Sequence, residues 1–309
     1  NHRLSGSFDY FIKNGFDLIG QTPFAPSTGI SKFRGNTANT SGKGFDFVLN
    51  SQNLSGLLKW ETNFLFSHIK ETVSKYLIKA PAGNYLSEGS GNGIFPFEGK
   101  PLYAIYSYKW GGLDAQTGSP QGFIDNNLSN DYKGIIDNAT PENLIYNGPA
   151  RPTFFGAVRN TVTWKNLSLS ANVSFRLGYY FRKNSVRYSS ILNAQGGHGD
   201  YSKRWQIPGD ELYTQVPSMP TQININRDNF YSYSEALVGK GDHIRLQDIR
   251  LDYSFSGKKL QDIFIKKLNV FVYLNNIGIL WKADHSSVDP DYPYAIPPRT
   301  SPVGVKLDF

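Results

Sequence analysis

Residues 167–181 read LSLSANVSFRLGYYF and alternate between apolar and polar side chains along most of their length. The apolar set holds the odd positions, which are Leu167, Leu169, Ala171, Val173, Phe175, Leu177, Tyr179 and Phe181. The even positions carry Ser, Asn and Arg as far as residue 176. Successive side chains of a β-strand point to opposite faces of its sheet, so this stretch predicts a strand with one apolar face. About 9–11 strand residues cross a bilayer, so this strand is long enough to span one.

The same period of two residues recurs along the chain. It is found in residues 4–13, 45–50, 58–67, 158–164, 249–255, 268–274 and 303–309. In the last segment the apolar stripe consists of Val303, Val305, Leu307 and Phe309. We therefore predict roughly eight strands, a weaker strand at 102–108, and no confident helix. Near Gln247 and Asp248 the apolar phase changes, which predicts a β-bulge.

The connections between these segments are of two kinds. Residues 53–56 and 165–166 are short enough for hairpin turns. The others are long and rich in Gly, Pro, Asn, Tyr and Ser, at residues 15–42, 71–100, 111–151, 183–240 and 278–300. Loops of that length are uncommon in compact soluble domains, whereas outer-membrane barrels combine tight periplasmic turns with long extracellular loops. The fold predicted here is therefore all-β, an antiparallel transmembrane β-barrel, although a soluble β-sandwich alternates in the same way.

The composition limits the other classes of protein. The 309 residues include no Cys, which excludes disulfides and thiolate metal sites, and 15% aromatic residues, which suit strands. The net charge is +7, but the basic residues are scattered, so we expect no nucleic-acid partner. The same charges suit lipopolysaccharide or an anionic ligand. The opening residues NHRL lack a Met and a signal-peptide pattern, so we expect a part of a longer protein.

Several short motifs follow one another along the chain from residue 106 onward. Residues 106–120 contain YSY, GLD and TGSP, and residues 204–210 read RWQIPGD. Residues 242–253 read DHIRLQDIRLDY, residues 270–276 read VFVYLNN, and DPD stands at 289–291. Together these motifs resemble those of the SusC/RagA-like TonB-dependent transporters of Bacteroidota outer membranes.

The resemblance implies a barrel of about 22 strands when complete, filled by a plug domain. Residues 1–309 then form the C-terminal part of that barrel domain, with the plug and the N-terminal strands absent from this chain. It also implies uptake of glycans or peptides beneath a SusD-like lipoprotein lid, driven by TonB–ExbB–ExbD through the missing region. The terminal strand with Val303, Val305, Leu307 and Phe309 is similar to the one that the barrel-assembly machinery recognises.

Three loop residues are candidates for contact with a substrate: Trp110, Trp205 and Asp210. An indole ring can stack on a sugar, and a carboxylate can accept hydrogen bonds from its hydroxyl groups. The other interpretation of Trp205 and Asp210 is loop packing, with Pro208-Gly209 as a turn and Trp205 as its anchor. We favour packing, because the family that this motif resembles carries it whatever the cargo.

Other chemistry is only weakly indicated. A loose cluster of oxygen-bearing side chains could hold Ca²⁺ in an extracellular loop, and no other cofactor is expected; its members are Asp125, Asn126, Asn127 and Asp131. Residues 284–286 read DHS, but a catalytic triad requires three-dimensional geometry that sequence neighbours seldom supply, so we expect no enzyme. Two other functions stay open: a soluble or secreted carbohydrate-binding module, and a passive porin-like barrel.

Overall fold

The computed structural model describes residues 3–23, 32–77, 80–86, 95–257, 264–293, 295 and 297–309. The strands are β1 Leu4–Pro23, β2 Lys32–Ser55, β3 Leu58–Tyr76, β4 Ala104–Ser107, β5 Gly122–Ile124, β6 Asn127–Ser129, β7 Ile145–Pro149, β8 Phe154–Trp164, β9 Leu167–Leu177, β10 Tyr180–Arg182, β11 Val238–Lys240, β12 His243–Phe255, β13 Lys267–Lys282 and β14 Val303–Asp308. The helices are α1 Ala82–Leu86, α2 Tyr132–Asp137, α3 Tyr188–Leu192 and α4 Ile225–Ser232. In the part of the chain that is described, no helix is long and apolar enough to cross a membrane.

Eight of these strands form one antiparallel sheet in the order β1-β2-β3-β8-β9-β12-β13-β14. Each strand pairs with the next long strand along the chain, so the sheet is a simple up-and-down meander. One end of the sheet carries the short connections 56–57 and 165–166 and the connection 256–266. The other end carries the first loop (77–153), the second loop (178–242) and the third loop (283–302). The two predicted hairpin turns and the long loops therefore lie at opposite ends, as predicted, although the connection 256–266 at the turn end has 11 residues.

The prediction of a loop at residues 15–42 is wrong for most of that range. β1 and β2 continue as a paired hairpin as far as Pro23 and Lys32, with a bulge between Gly15 and Leu18. β2 has 24 residues, which at ~3.3 Å per residue makes it ~80 Å long, far more than the ~30 Å of a hydrocarbon core. Its upper half projects beyond any bilayer and therefore needs no apolar stripe. Because apolar and polar residues do not alternate there, the sequence did not predict a strand.

One face of the sheet is mainly apolar, apart from a small polar cluster around Thr62 and Asn160. Cross-strand pairing aligns Leu169 with Leu251, Leu251 with Val272, and Val272 with Val303. Aromatic rings extend this surface across the other strands, with centroid separations of 5.6 Å for Phe8–Phe45 and 5.7 Å for Phe45–Phe66. These aliphatic side chains are not covered by a second layer, since Leu169 is 47% exposed and Val305 is 61% exposed.

The opposite face is polar and is cross-linked by side chains. The buried carboxylate of Asp248 accepts hydrogen bonds from Arg159 Nη2 at 3.1 Å and from Asn172 Nδ2 at 3.0 Å. The register of β12 shifts between Leu246 and Asp248 against both of its neighbours, which confirms the predicted bulge. The bulge changes the phase of β12 so that polar side chains stay on one face along the whole strand.

A pair of substitutions on β8 tests what the apolar face contacts. Val158 pairs with Phe64 and Val173 on that face, whereas Thr161 pairs with Glu61 and Ser170 on the polar face. If lipid covers the apolar face, Val158→Arg should lower the free energy of unfolding by about 2–4 kcal/mol, and Thr161→Arg by less than about 1 kcal/mol. Urea unfolding in detergent micelles or lipid vesicles measures both. Equal, small losses would contradict a lipid-facing surface.

Candidate functional site

The first and second loops fold together into one unit, which we call the cap. Its centre is Phe230 of α4, whose side chain is fully buried. The ring packs against Tyr108, Trp110 and Tyr132 of the first loop, with centroid separations of 5.7, 6.1 and 5.8 Å. The Asn224 side chain stabilises the start of α4, because it accepts a hydrogen bond from the N–H of residue 227 at 3.0 Å.

Trp110, a candidate substrate residue, belongs to the junction of the two loops. Its ring stacks on Phe230 with an interplanar angle of 20°, and its backbone N–H donates to Glu235 Oε2 at 2.9 Å. A neighbouring bridge links Tyr108 to Ser234. Trp110 is half-buried, so its exposed part can still contact a ligand, and that role stays a prediction.

Tyrosine is the commonest residue in the core of the cap. Burial raises the pKa of Tyr108 to about 12, with a smaller contribution from nearby Tyr233. Burial likewise raises the pKa of Tyr188 to about 12. Both phenols are therefore neutral at any physiological pH, and the Tyr188 hydroxyl donates to the carbonyl of Pro217. A neutral buried phenol supplies a hydrogen-bond donor without the cost of burying a charge.

Trp205, the second candidate, is a packing anchor. The side chain is 8% exposed, and its indole lies directly over Gly118 of the first loop, where an added Cβ would come within 2.2 Å of the ring. The indole Nε1 donates to Glu211 Oε2 at 3.0 Å. The TGSP and RWQIPGD motifs are thus in contact, although Gly118 and Trp205 lie 87 residues apart in the sequence (205 − 118). This geometry supports the packing interpretation, and stacking of Trp205 on a sugar stays untested.

Asp210, the third candidate, closes the turn of the same motif. Its carboxylate accepts the backbone N–H groups of Gln206 at 2.9 Å and Ile207 at 3.1 Å. The adjacent Glu211 accepts the Gly209 N–H as well as the indole of Trp205, and the hydrogen bond from Trp205 leads the causes that lower its pKa. Gly209 itself has φ of 104°, a left-handed conformation that favours glycine. A substrate that bound Asp210 would have to compete with these turn contacts.

Substitution of Gly118 tests the anchor. Gly118 has φ of 64°, and its missing Cβ makes room for the Trp205 ring. Gly118→Ala should therefore displace the indole and raise its quenching by acrylamide, with a loss of about 1–3 kcal/mol in the stability of the cap. Gly199→Ala in the second loop, which also carries Trp205, is the matched control, since nothing lies within 4 Å of the added Cβ and φ there is ordinary. If the two variants quench alike, Trp205 is not an anchor.

A cluster of charged groups fastens the third loop to the sheet. Arg245 Nη2 donates to both carboxylate oxygens of Asp289, at 2.6 and 2.7 Å. Asp291 accepts from Arg176 Nη1 at 2.6 Å and from His243 Nε2 at 3.1 Å. The DHIRLQD and DPD motifs therefore meet, and we call these five side chains the latch. Both acids of the DPD motif form ion pairs, Asp289 with Arg245 and Asp291 with Arg176.

The latch keeps Asp291 ionised. Burial alone raises the pKa of this carboxyl group, but the hydrogen bond from His243 and the charges of His243, Arg176 and Arg245 outweigh burial and lower it. The His243 ring nitrogens lie near two acceptors, with Nε2 3.1 Å from the Asp291 carboxylate and Nδ1 2.8 Å from the Gly241 carbonyl.

The latch should weaken in acid. Because the folded pKa of Asp291 lies below its unfolded value of about 4, its stabilisation is complete above that value and is lost as pH falls through the folded pKa. Hydrogen–deuterium exchange of residues 283–302, corrected for intrinsic rates, should therefore rise between pH 5 and pH 3. In Asp291→Asn the same segment should exchange fast throughout this range. An unchanged pH profile in that variant would contradict the role of Asp291.

The structure also contains a cavity of about 690 Å³ between the upper part of β3 and two stretches of the first loop. Phe155 and Arg176, which pair on the polar face of the sheet, form part of its wall. Residues 99–103 and 149–153 close it from the loop side. Its position at the loop end of the polar face makes it the best candidate for a ligand site.

Two tyrosine rings that line this cavity each contact a basic side chain. The Arg151 guanidinium lies 3.3 Å from the centroid of Tyr103, and Lys100 Nζ lies 4.5 Å from the centroid of Tyr146. Sequence reasoning did not single out these four residues, because they belong to no motif. The only signal was a set of prolines beside the cations, at residues 101, 149 and 152, and prolines are common in loops.

The residues of the suggested Ca²⁺ cluster have structural roles. Asp125 and Asn126 adopt φ of 48° and 64° in the tight turn between β5 and β6, and Asp131 caps α2 by accepting the Gly134 N–H at 3.0 Å. No group of three or more His, Cys, Asp or Glu side chains suited to a metal occurs among the residues with assigned positions. A Ca²⁺ ion held by amide and backbone oxygens stays a prediction.

Asp284, the acid of the DHS segment, is engaged elsewhere. It accepts from Lys183 Nζ at 3.2 Å and from the Ser286 N–H at 2.8 Å. Burial alone raises the pKa of this carboxyl group. The hydrogen bonds from Ser286 and the charge of Lys183 outweigh burial, so the pKa lies below its usual value. Asp284 thus ties the third loop to the second.

The terminal strand has the predicted faces. Val303, Val305 and Leu307 point to the apolar side with 69%, 61% and 42% exposure, and Phe309, just past the end of β14, is 72% exposed. Recognition of this strand by an assembly machinery stays a prediction.

Several known proteins are similar to this chain in sequence or in fold. No family model matches the chain. Among curated proteins it is similar to three from Formosa agariphila: TonB-dependent receptor P3 (23% identical over 316 residues, 95% of this chain), P39 (23% over 329 residues, 89%) and P26 (24% over 312 residues, 94%). The chain spans 29% of the length of P3 and 30% of the lengths of P39 and P26. These relatives are receptors rather than enzymes, in agreement with the expectation from the sequence.

Solved structures share the fold. The RagAB peptide transporter superposes with a TM-score of 0.73 at 17% identity, covering 99% of this chain and 33% of that chain. The RagAB peptide importer in its closed-closed state gives a TM-score of 0.70 at 17% identity, with 99% and 34% coverage. The sequence relatives and the shared fold together confirm, at low identity, the resemblance to the SusC/RagA-like TonB-dependent transporters.

Proposed function

We propose that this chain forms part of the wall and the extracellular loops of a TonB-dependent outer-membrane importer for glycans or peptides. The supporting observation is the uncovered apolar face of the eight-stranded sheet opposite a hydrogen-bonded polar face. Water makes an apolar surface of this extent unfavourable, whereas acyl chains do not. A soluble carbohydrate-binding module would cover that face with a second sheet or a helix layer.

The barrel of this proposal needs more strands than the sheet provides. Over the described residues β1 and β14 are the two edges of the sheet. In a bilayer every backbone N–H and C=O must be paired, so both edges require partner strands. We propose a closed barrel of about 22 strands, filled by a plug and coupled through it to TonB–ExbB–ExbD.

The cap supports a partner above the barrel. Beside the RWQIPGD turn, three large apolar side chains point into solvent: Ile207 is 64% exposed, Leu212 76% and Tyr213 90%. They lie in the second loop, on the side of the sheet opposite to the short turns. Exposed apolar groups of this kind mark protein contacts. We propose that a SusD-like lipoprotein lid contacts them.

The experiment uses the protein expressed from its native gene in its own host, with an affinity tag. The protein is expected in the outer-membrane fraction, to require detergent for extraction, and to bring down a surface lipoprotein. Leu212→Asp with Tyr213→Asp should reduce the recovered lipoprotein about tenfold. Leu57→Asp is the matched control, because Leu57 is 85% exposed in the turn at the opposite end of the sheet.

Two outcomes would replace this proposal. Solubility of the intact protein without detergent would favour the carbohydrate-binding module. An outer-membrane location with uptake of cargo that is unchanged by deletion of TonB would favour a passive porin.

A further inference from the structure

We propose that the 690 Å³ cavity between β3 and the first loop binds the free carboxylate end of a peptide, with Arg151 and Lys100 holding the carboxylate. The inference rests on the proposed import function, since it names the chemistry of the cargo and the place where the cargo contacts this chain. It follows from three features of the cavity: its charges, its aromatic rings and its remaining apolar wall.

The charge of the wall is strongly positive. The lining includes four basic side chains and one acidic side chain; these are Lys70, Lys100, Arg151, Arg176 and Glu71. Arg176 is already bound to Asp291 at 2.6 Å in the latch. By contrast, Arg151 and Lys100 have no ion-pair partner among the residues that the structure describes. Cations whose charge is not neutralised by the protein attract an anionic ligand.

The contacts that Arg151 and Lys100 do make are weak enough to be supplemented. Each lies over a tyrosine ring, and a cation–π contact at an exposed site contributes only about 0.5–1 kcal/mol. The stack leaves the guanidinium edge and its N–H donors free to bind a carboxylate in bidentate fashion. The rings therefore hold the cations in place for a ligand.

The same rings argue against a sugar. Sugar recognition commonly uses open aromatic faces, and here one face of Tyr103 and one face of Tyr146 are occupied by cations. The rest of the wall is apolar, with Ile69, Leu102 and Phe155 among its residues. A carboxylate beside an apolar side chain, as at the end of a peptide, matches both parts of the wall. The volume lies within the ~300–1,000 Å³ of typical ligand pockets.

The test measures binding to the detergent-purified protein by isothermal titration calorimetry. The probes are the tripeptide acetyl-Ala-Ala-Phe with a free carboxylate, the same tripeptide as its C-terminal amide, and digalacturonate as an acidic sugar. The free acid should bind about ten- to a hundredfold more tightly than the amide, as expected for a charge-assisted hydrogen bond. It should also bind more tightly than digalacturonate.

Variants locate the effect in the cavity. Arg151→Gln with Lys100→Met should abolish the preference for the acid over the amide, and Arg151→Lys should keep most of it. Lys240→Gln is the matched control, since this exposed cation on β11 lies outside the cavity. Should the double variant not fold, Arg151→Gln alone should still reduce the preference at least threefold.

Three results would overturn the inference: equal binding of acid and amide, tighter binding of digalacturonate, or a preference unchanged in the Arg151 variants. None of them bears on the outer-membrane location or the recovery of a lid lipoprotein, so failure of this inference is distinguishable from failure of the proposed function.

Discussion

An antiparallel sheet with one face mainly apolar and uncovered is stable only where that face contacts something other than water. This constraint fixes the rest of the wall. A slip of one residue in any strand would move its apolar side chains to the polar face. The row of Leu169, Leu251, Val272 and Val303 on one side and the Arg159–Asp248–Asn172 network on the other therefore specify the same register from both faces. The bulge before Asp248 is part of this specification, because without it the upper half of β12 would present its charged residues to the apolar side.

The loops obey a different rule, since they are not bound by the two faces of a sheet. They bury a core of their own, in which tyrosine is the commonest residue. Tyrosine suits an irregular segment because one side chain both packs and satisfies a stray carbonyl, as the Tyr132 hydroxyl does for Pro120 at 2.9 Å. The cap thus needs few regular elements, and its longest helix, α4, has eight residues.

These two rules explain what could be predicted from the sequence. The alternation of residues 167–177 and 303–308 reveals strands directly, because one face must be apolar throughout, and the phase change at Gln247 reveals a bulge for the same reason. The upper half of the β1–β2 hairpin is held by backbone hydrogen bonds outside any bilayer. Its side chains therefore need not alternate, and the sequence gives no sign of a strand there. The contacts within the candidate site could not be predicted from the sequence. Trp205 contacts Gly118 and Arg245 binds Asp289 across long sequence separations, and no local pattern encodes such a pairing. The cavity residues Tyr103 and Arg151 lie in no motif at all.

The basic side chains of this chain are held in more than one way. Three arginines of the sheet have a carboxylate partner close by: Arg159 has Asp248, Arg245 has Asp289, and Arg176 has Asp291. Each of these pairs joins two strands or a strand and a loop, and removing one partner would leave a charge poorly solvated. Arg151 and Lys100 differ, since their positions are fixed by aromatic rings, which hold a cation without neutralising it. If the cavity binds a carboxylate as we propose, these two charges are the ones that the ligand neutralises, and the apolar wall beside them contacts its side chain.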